Sequence, residues 1–464
     1  MNDLIISVSG LRGVVGQSLT PDVIARYVAA FAYQLRRTAD PLAAGGPDSL
    51  ARPRVIVGRD GRDSGAVLAD VVVAALRASG CDACVAGVVA TPTIGVLVRQ
   101  RSADGAIQIT ASHNPAPYNG IKLFGPSGRV LDAKAGAEIG AAYREGRAAW
   151  VSHDRIAERV EIADPHASHL DAVLATVDVA RIAARRFRVL LDSNHGAGGA
   201  LGERLLVRLG CQVVLVGREP DGRFEHPPEP TAENLTELGQ QVAAAGCEIG
   251  FCQDPDADRL ALIDASGRYI GEEYTLALCV RRALADPGTR GSVVINAATS
   301  SINERLAVAA GVPIHRSAVG EANVVDKMLA VGASYGGEGN GGPIDPRVGM
   351  VRDSFVGMAQ VLDLMSATGR TLTELVSELP SMSIHKSKVT LDAARLPAIL
   401  SALAEAYPAA RAEYGDGLRL VWPDAWLLVR GSNTEPIVRM IAEAATSQQA
   451  EGLCDAAARL IASA

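Results

Sequence analysis

Four short stretches of this chain carry residue types that could do chemistry. The first, ITASHNPAPYNGIKLF (residues 109–124), sets Ser112, His113 and Lys122 around a turn-rich loop between two runs that read as strands. Ser112 is there either as a nucleophile or as a small polar residue at a bend, because Asn-Pro, Pro-x-Pro and Asn-Gly are turn chemistry in their own right. The second, QDPDADRLALID (residues 253–264), alternates Asp254, Asp256 and Asp258, followed by Arg259. In an extended segment the three carboxylates would point to one side and repel one another unless a cation sat among them. Hard oxygen ligands suit Mg²⁺ or Ca²⁺, and three protein ligands leave room for a phosphate oxygen.

The third stretch, GGEGNGGPIDP (residues 336–346), satisfies G-x-G-x-x-G through Gly337, Gly339 and Gly342. Its context fails the dinucleotide reading, because Pro343 and Pro346 stand where a helix should open onto a pyrophosphate. Glycine lets backbone approach a ligand closely, and Glu338 and Asn340 offer hydrogen bonds suited to sugar hydroxyls; a plain flexible turn is the alternative. The fourth, VRGSNTEPIVRM (residues 429–440), combines the planar fork of Arg430 with Ser432, Asn433 and Thr434. That set suits a phosphate, although a hairpin with a polar tip would look similar.

Elements must position these loops. Short β-branched runs, each followed by a turn and an Ala/Leu-rich helical pattern, recur at RVIVG (54–58), RVLLDSN (188–194) and SVVINAA (292–298). Alternating strands and helices imply parallel sheets covered on both faces, and the spacing hints at one α/β unit used three times. Breaks in the pattern divide the chain into domains 1–158, 159–265, 266–376 and 377–464, the last mixing strands and helices in its own way. At 464 residues and 48.2 kDa, three to four domains are also what size alone leads one to expect.

Composition narrows the function classes. A net charge of −7 argues against a broad surface for nucleic acid or anionic membrane, so an anionic ligand must be held by local charges. No apolar run reaches the ~20 residues of a membrane span, and the first residues lack the pattern of a signal peptide. Seven cysteines in apolar contexts speak for a reducing cytoplasm rather than a disulfide framework. Cys81 and Cys84 form a C-x-x-C pair in a segment that reads as a strand, which sends their side chains to opposite faces, so both are expected in the core.

Taken in this order, TASHNP, DPDADR, GEGNGG and RGSNTEP resemble the α-D-phosphohexomutases, the family of phosphoglucomutase, phosphomannomutase and phosphoglucosamine mutase. SGLRGVVG around Arg12 and EPTAENL (229–235) are similar to further family motifs. The resemblance implies an α/β protein with three consecutive mixed α/β sheet domains of similar topology and a C-terminal α+β domain around a central cleft. It also implies that Ser112 carries a phosphoryl group as phosphoserine, with Mg²⁺ held by Ser112, Asp254, Asp256 and Asp258 and with Arg259 nearby. Glu338 and Asn340 would then bind sugar hydroxyls, and Arg430, Ser432, Asn433 and Thr434 the distal phosphate. Arg12 and Lys122 would serve as acid/base and electrostatic helpers, and His113 would orient its loop.

The implied reaction moves phosphate between C6 and C1 of a hexose through a bisphosphorylated sugar, with hexose 1,6-bisphosphate as activator and a phosphorylated hexose as the partner. A monomer or homodimer in the cytoplasm is expected. One departure stands out: many members carry histidine where this chain has Gly342, and GEGNGG looks like the archaeal-type phosphoglucosamine mutase branch. If that histidine moves protons elsewhere, Lys122, His113 or water must do so here. Glucosamine phosphate is therefore the expected substrate, with glucose or mannose phosphates as the close alternative. A metal-dependent sugar phosphatase or a non-catalytic sugar-phosphate binder fits the motifs less well.

Overall fold

The computed structural model describes residues 4–7, 10–39, 52–289, 291–432 and 437–463. The first sheet contains β1 (Ile5–Ser7), β2 (Gly10–Val14), β3 (Arg54–Arg59), β4 (Asp82–Val88), β5 (Gly105–Ile109), β6 (Tyr118–Phe124) and β7 (Arg159–Glu161), in the order β1-β2-β6-β5-β3-β4-β7. The second contains β8 (Arg188–Asp192), β9 (Gln212–Val216), β10 (Ile249–Gln253) and β11 (Leu260–Asp264), in the order β11-β10-β8-β9. The third contains β12 (Val293–Asn296), β13 (Ile314–Ser317), β14 (Tyr335–Glu338) and β15 (Gly342–Ile344), in the order β13-β12-β14-β15.

One four-strand pattern runs through all three. The recurring strand, β3, β8 or β12, pairs in parallel with two neighbours, and the second neighbour pairs antiparallel with the strand that follows it in the chain. The sheets are thus mixed rather than purely parallel, because a short hairpin can only return antiparallel. The recurring strands are apolar on both faces for the reason parallel strands usually are, namely cover on both sides. Val55 and Val57 face one core with Leu68 and Val72, while Ile56 faces another with Ile94 and Leu97. Cys81 and Cys84 divide between the same two cores, as their spacing requires.

The second and third sheets share one core, to which Val189, Leu191, Val293 and Ile295 contribute. Between them lies the helix Ser354–Thr368, buried at every residue from Ser354 to Met365 and capped by Asp353, whose side chain accepts the N–H groups of Phe355 and Val356. A helix covered on every side has no face to give to water and so acts as a wedge; its buried Asp363 is paired with Arg181 and Arg282. The last domain has its own core under the antiparallel sheet β16 (Ser383–Thr390), β17 (Arg411–Gly415), β18 (Gly417–Trp422), β19 (Ala425–Gly431) and β20 (Ile437–Ala444), ordered β16-β20-β19-β18-β17. Among the described residues no helix is long and apolar enough to cross a membrane.

Candidate active site

The three repeats bring their chemistry to one place by the same device. Ser112 lies in the loop joining β5 to β6, the aspartates lie in the loop joining β10 to β11, and Glu338 and Asn340 sit at the loop joining β14 to β15. Each loop leaves the carboxyl end of a parallel strand, where open α/β sheets place their ligands.

Ser112 is 2% exposed and left-handed at φ 50°, a conformation that costs a non-glycine residue about 1–2 kcal/mol. Its N–H donates to Thr110 Oγ1 at 2.9 Å, and its Oγ donates to Asp254 Oδ2 at 3.1 Å. His113 Nδ1 lies 3.5 Å from the same Oγ. The carboxylates do not converge through strand alternation, as an extended segment would have it. The chain turns instead: Ala257 is left-handed at φ 56°, and Asp254 Oδ1 accepts the N–H groups of Asp258 and Arg259, each at 3.1 Å. One ligand oxygen from each of Asp254, Asp256 and Asp258 then falls within 4.8 Å of the others.

Lys122 crosses from the first domain to this turn, donating to Asp256 Oδ2 at 2.7 Å and Asp258 Oδ2 at 2.9 Å. Thr91 Oγ1 adds a bond to Asp256 at 2.6 Å, and Arg352 Nη2 one to Asp258 at 2.6 Å. Asp256 Oδ1 and Asp258 Oδ1 are buried with no hydrogen-bond partner. Orphaned carboxylate oxygens among oxygen-only ligands fit a hard divalent cation. Burial raises Asp254 well above the ordinary carboxylate range, reinforced by its like-charged neighbours Asp258 and Asp256. Burial also pushes Asp256 and Asp258 up, but Lys122 for the first and Arg352 for the second more than offset it, so both sit low. The same carboxylates overcome burial at Lys122 and hold it charged. Burial, with Arg259 and Arg12 close by, drives the His113 ring down to about 2, so it is neutral.

Arg12 Nη1 donates to Asn114 Oδ1 at 3.2 Å, and Arg259 Nε lies 4.0 Å from both Asp254 and Asp258. Glu338 Oε1 accepts from Asn296 at 2.6 Å and from the Gly320 N–H at 3.0 Å, while its Oε2 meets Arg352 at 3.1 Å and Asn340 at 3.5 Å. The Asn340 Oδ1 is buried and unpartnered. In the last domain Arg430 Nε lies 2.9 Å from Asp416 Oδ2, and the Ser432 N–H donates to Ile437 O at 2.9 Å; Asn433 and Thr434 lie outside the described residues. A cavity of about 500 Å³ lies between the loop joining β14 to β15 and the last domain, bounded by Glu272, Ser300, Gly339, Lys386 and Glu443.

Sequence reasoning missed Thr91, Arg352 and Arg62. Arg352 ties three carboxylates together, Asp258, Glu321 and Glu338, yet in the sequence it is one arginine before a helix cap. It also explains the departure at Gly342, where an added Cβ would fall 2.5 Å from Arg352 Cδ, so that the arginine stem occupies the space of any side chain at that position. The signal that could have drawn attention to Arg62 is its place in GRDGRDSG, directly after the recurring strand β3.

Family models match the chain from end to end. Phosphoglucomutase/phosphomannomutase alpha/beta/alpha domains I, II and III match residues 4–149, 167–267 and 272–382, and the C-terminal domain of the same family matches 386–460. A Thermococcus kodakarensis protein named phosphoglucomutase/phosphomannomutase is 34% identical over 458 residues, 97% of each chain. A Methanopyrus kandleri protein described as "Probable phosphoglucosamine mutase" is 32% identical over 452 residues, 96% of this chain and 95% of that one. Among solved structures, a phosphoglucomutase/phosphomannomutase family protein from Burkholderia thailandensis superimposes with a TM-score of 0.84 at 26% identity, covering 98% of this chain and 97% of the other.

Proposed function

The chain belongs to the α-D-phosphohexomutase family and is a phosphohexomutase; from that premise we propose that it interconverts glucosamine 6-phosphate and glucosamine 1-phosphate through a phosphoserine at Ser112. The observation that carries the chemistry is the Ser112 hydroxyl at 3.1 Å from Asp254 within the cluster of three aspartates. The choice of hexose rests on the GEGNGG loop and on relatives described as "Probable phosphoglucosamine mutase".

Asp254, Asp256, Asp258 and an oxygen on Ser112 would hold Mg²⁺, which supplies charge neutralisation to the transferring phosphoryl group. The chain's own residues provide the rest. Lys122, Arg259 and Arg352 line the aspartates with fixed positive charge, suited to the spread charge of a phosphoryl transition state, which needs little other covalent help. Lys122, held charged by Asp256 and Asp258, would act as a proton donor, and Arg12 would supply fixed positive charge, since a guanidinium keeps its proton; His113 is neutral beside Ser112. Glu338 and Asn340 would orient the sugar, and Arg430 with Ser432, Asn433 and Thr434 would grip the phosphate at its far end. A bisphosphorylated sugar must then turn over and present its other phosphate to Ser112, which requires a site that accepts either end and excludes water.

The test is a coupled assay with the 6-phosphates of glucosamine, glucose and mannose and a trace of glucose 1,6-bisphosphate. The expected result is a kcat/KM for glucosamine phosphate at least about tenfold above the others. Preference for glucose or mannose phosphate would overturn the choice of sugar, and release of inorganic phosphate in place of isomerised product would overturn the mutase reaction itself.

A further inference from the structure

We propose that Arg62 is the positioning residue that sets the phosphoryl-donor geometry of Ser112; the inference rests on the reading of Ser112 as phosphoryl carrier. Arg62 is 2% exposed, and all five of its guanidinium N–H donors are used. Nη2 donates to Ser112 O and Asn114 O, both at 2.6 Å, and Nη1 to Pro115 O at 3.0 Å and Tyr118 O at 3.1 Å. Nε donates to Asp60 Oδ2 at 3.1 Å. One side chain therefore gathers four carbonyl oxygens along the serine loop and the start of β6, and the loop has no helix or sheet ladder of its own between β5 and β6.

The other end of the same network reaches Ser112 from the opposite side of its peptide. Asp60 Oδ2 also accepts from Thr110 Oγ1 at 2.7 Å, and Thr110 Oγ1 accepts the Ser112 N–H at 2.9 Å. Both the N–H and the C=O of Ser112 are thus fixed through the Asp60–Arg62 pair, which holds the residue in its left-handed conformation. Phe224, from the second domain, lies over the guanidinium at 5.1 Å, so the same side chain registers the serine loop against the domain that carries the aspartates. A lysine cannot reproduce this arrangement, because its ammonium has three donors and no planar fork. None of these bonds touches the hydroxyl or any sugar-binding residue, which separates Arg62 from the groups that bind substrate.

The experiment follows phosphorylation of Ser112 by glucose 1,6-bisphosphate in a single turnover, read by intact mass, in the full-length wild type and in Arg62→Lys, Arg62→Ala and Asp60→Asn. KM for the hexose phosphate, the thermal midpoint and the ³¹P NMR shift of phosphorylated Ser112 are measured beside it. Displacement of the accepting Ser112 hydroxyl by about 1 Å should slow transfer about 100-fold in Arg62→Lys and to a similar extent in Arg62→Ala, with KM within about twofold of wild type and a shifted ³¹P signal. Asp60→Asn keeps the shape of the pair and removes its charge, and transfer should slow about tenfold; it carries the test if the Arg62 variants do not fold. Transfer within about threefold of wild type in folded Arg62→Lys, or in Asp60→Asn where that variant must serve, would overturn the inference while leaving Ser112 as carrier. Absence of any phosphoryl mass on Ser112 in the wild type would overturn both.

Discussion

Lys122 Nζ lies 2.7 Å from Asp256 Oδ2, 134 residues further along the chain and in the next sheet domain. Both groups are buried, so the lysine is the standing counter-charge of a carboxylate cluster that also invites a divalent cation. Removing one partner of a buried pair typically costs about 3–5 kcal/mol, because the other charge is left unpaired. Lys122→Met should therefore lower the thermal midpoint in EDTA, and Mg²⁺ should raise it by more than in wild type. Equal Mg²⁺ shifts in the two proteins would show that the lysine and the metal do not share those carboxylates.

Asp254 is the carboxylate closest to the Ser112 hydroxyl and is crowded by two like charges. Asp254→Asn relieves that repulsion while keeping an acceptor for the N–H groups of Asp258 and Arg259. In EDTA the variant should be as stable as wild type to within about 1 kcal/mol, while turnover with Mg²⁺ falls at least about 100-fold. Wild-type turnover that survives thorough chelation would remove the metal from the scheme.

Gly342 has no room for a side chain, since a Cβ would meet the Cδ, Cγ and Cβ of Arg352 at 2.5–2.9 Å. Gly342→Ala should displace Arg352 from Asp258 and Glu338, costing about 1–3 kcal/mol of stability and at least about tenfold in turnover. Denaturant titration and steady-state kinetics on the same preparation check both numbers. Wild-type behaviour would mean that Arg352 has freedom to move.

Asp416 holds Arg430 at 2.9 Å and at the same time accepts the Val319 N–H of the third domain at 2.8 Å. It therefore ties Arg430, the proposed phosphate ligand, to the third domain. Asp416→Asn should raise KM for the hexose phosphate about three- to tenfold and leave kcat within about twofold, the pattern of lost uniform binding. A fall in kcat at constant KM would place Asp416 in the chemical step instead.

His226 Nε2 is 2.7 Å from Asp192 Oδ2 at the end of β8. Burial pushes the imidazole down, but the hydrogen bond and charge of Asp192 prevail, so its pKa is raised in the folded protein. A raised histidine contributes stability that is complete below its unfolded value near 6.5 and fades as pH rises through the folded value. Unfolding free energies of wild type and His226→Gln should differ most, by about 1–2 kcal/mol, at pH 5.5, and should converge at alkaline pH. A difference that grows with pH would contradict that sign.

The legible part of the fold was local. RVIVG, RVLLDSN and SVVINAA fall on β3, β8 and β12, because a strand covered on both faces must be apolar at successive central positions. The three loops could be found by composition, since turn residues beside hydroxyl, carboxylate or amide groups stand out within a dozen residues. Their equivalent places in the repeat were not visible, because hairpin connections carry no shared letters, only a shared topology. Nor was the true cause of the aspartates' convergence visible: strand alternation offered a sufficient reason, but a left-handed Ala257 and the capping oxygen of Asp254 supply the actual one. Arg62 was passed over because the carbonyls it gathers are 50 to 56 residues away.

By itself the sequence determined which α/β units form, which loops could hold a phosphate, a cation or a sugar, and the resemblance that joins them. Those are short-range properties, written in periodicity and in the identity of neighbouring residues. Only the tertiary structure decided that Lys122 and Arg352 meet the aspartates from two different domains, that Arg352 fills the space beside Gly342, and that one buried guanidinium holds the serine loop. The physical reason is that charge pairs and backbone-to-side-chain bonds across domains depend on how whole sheets pack, and packing leaves no period in the chain for a reader to count.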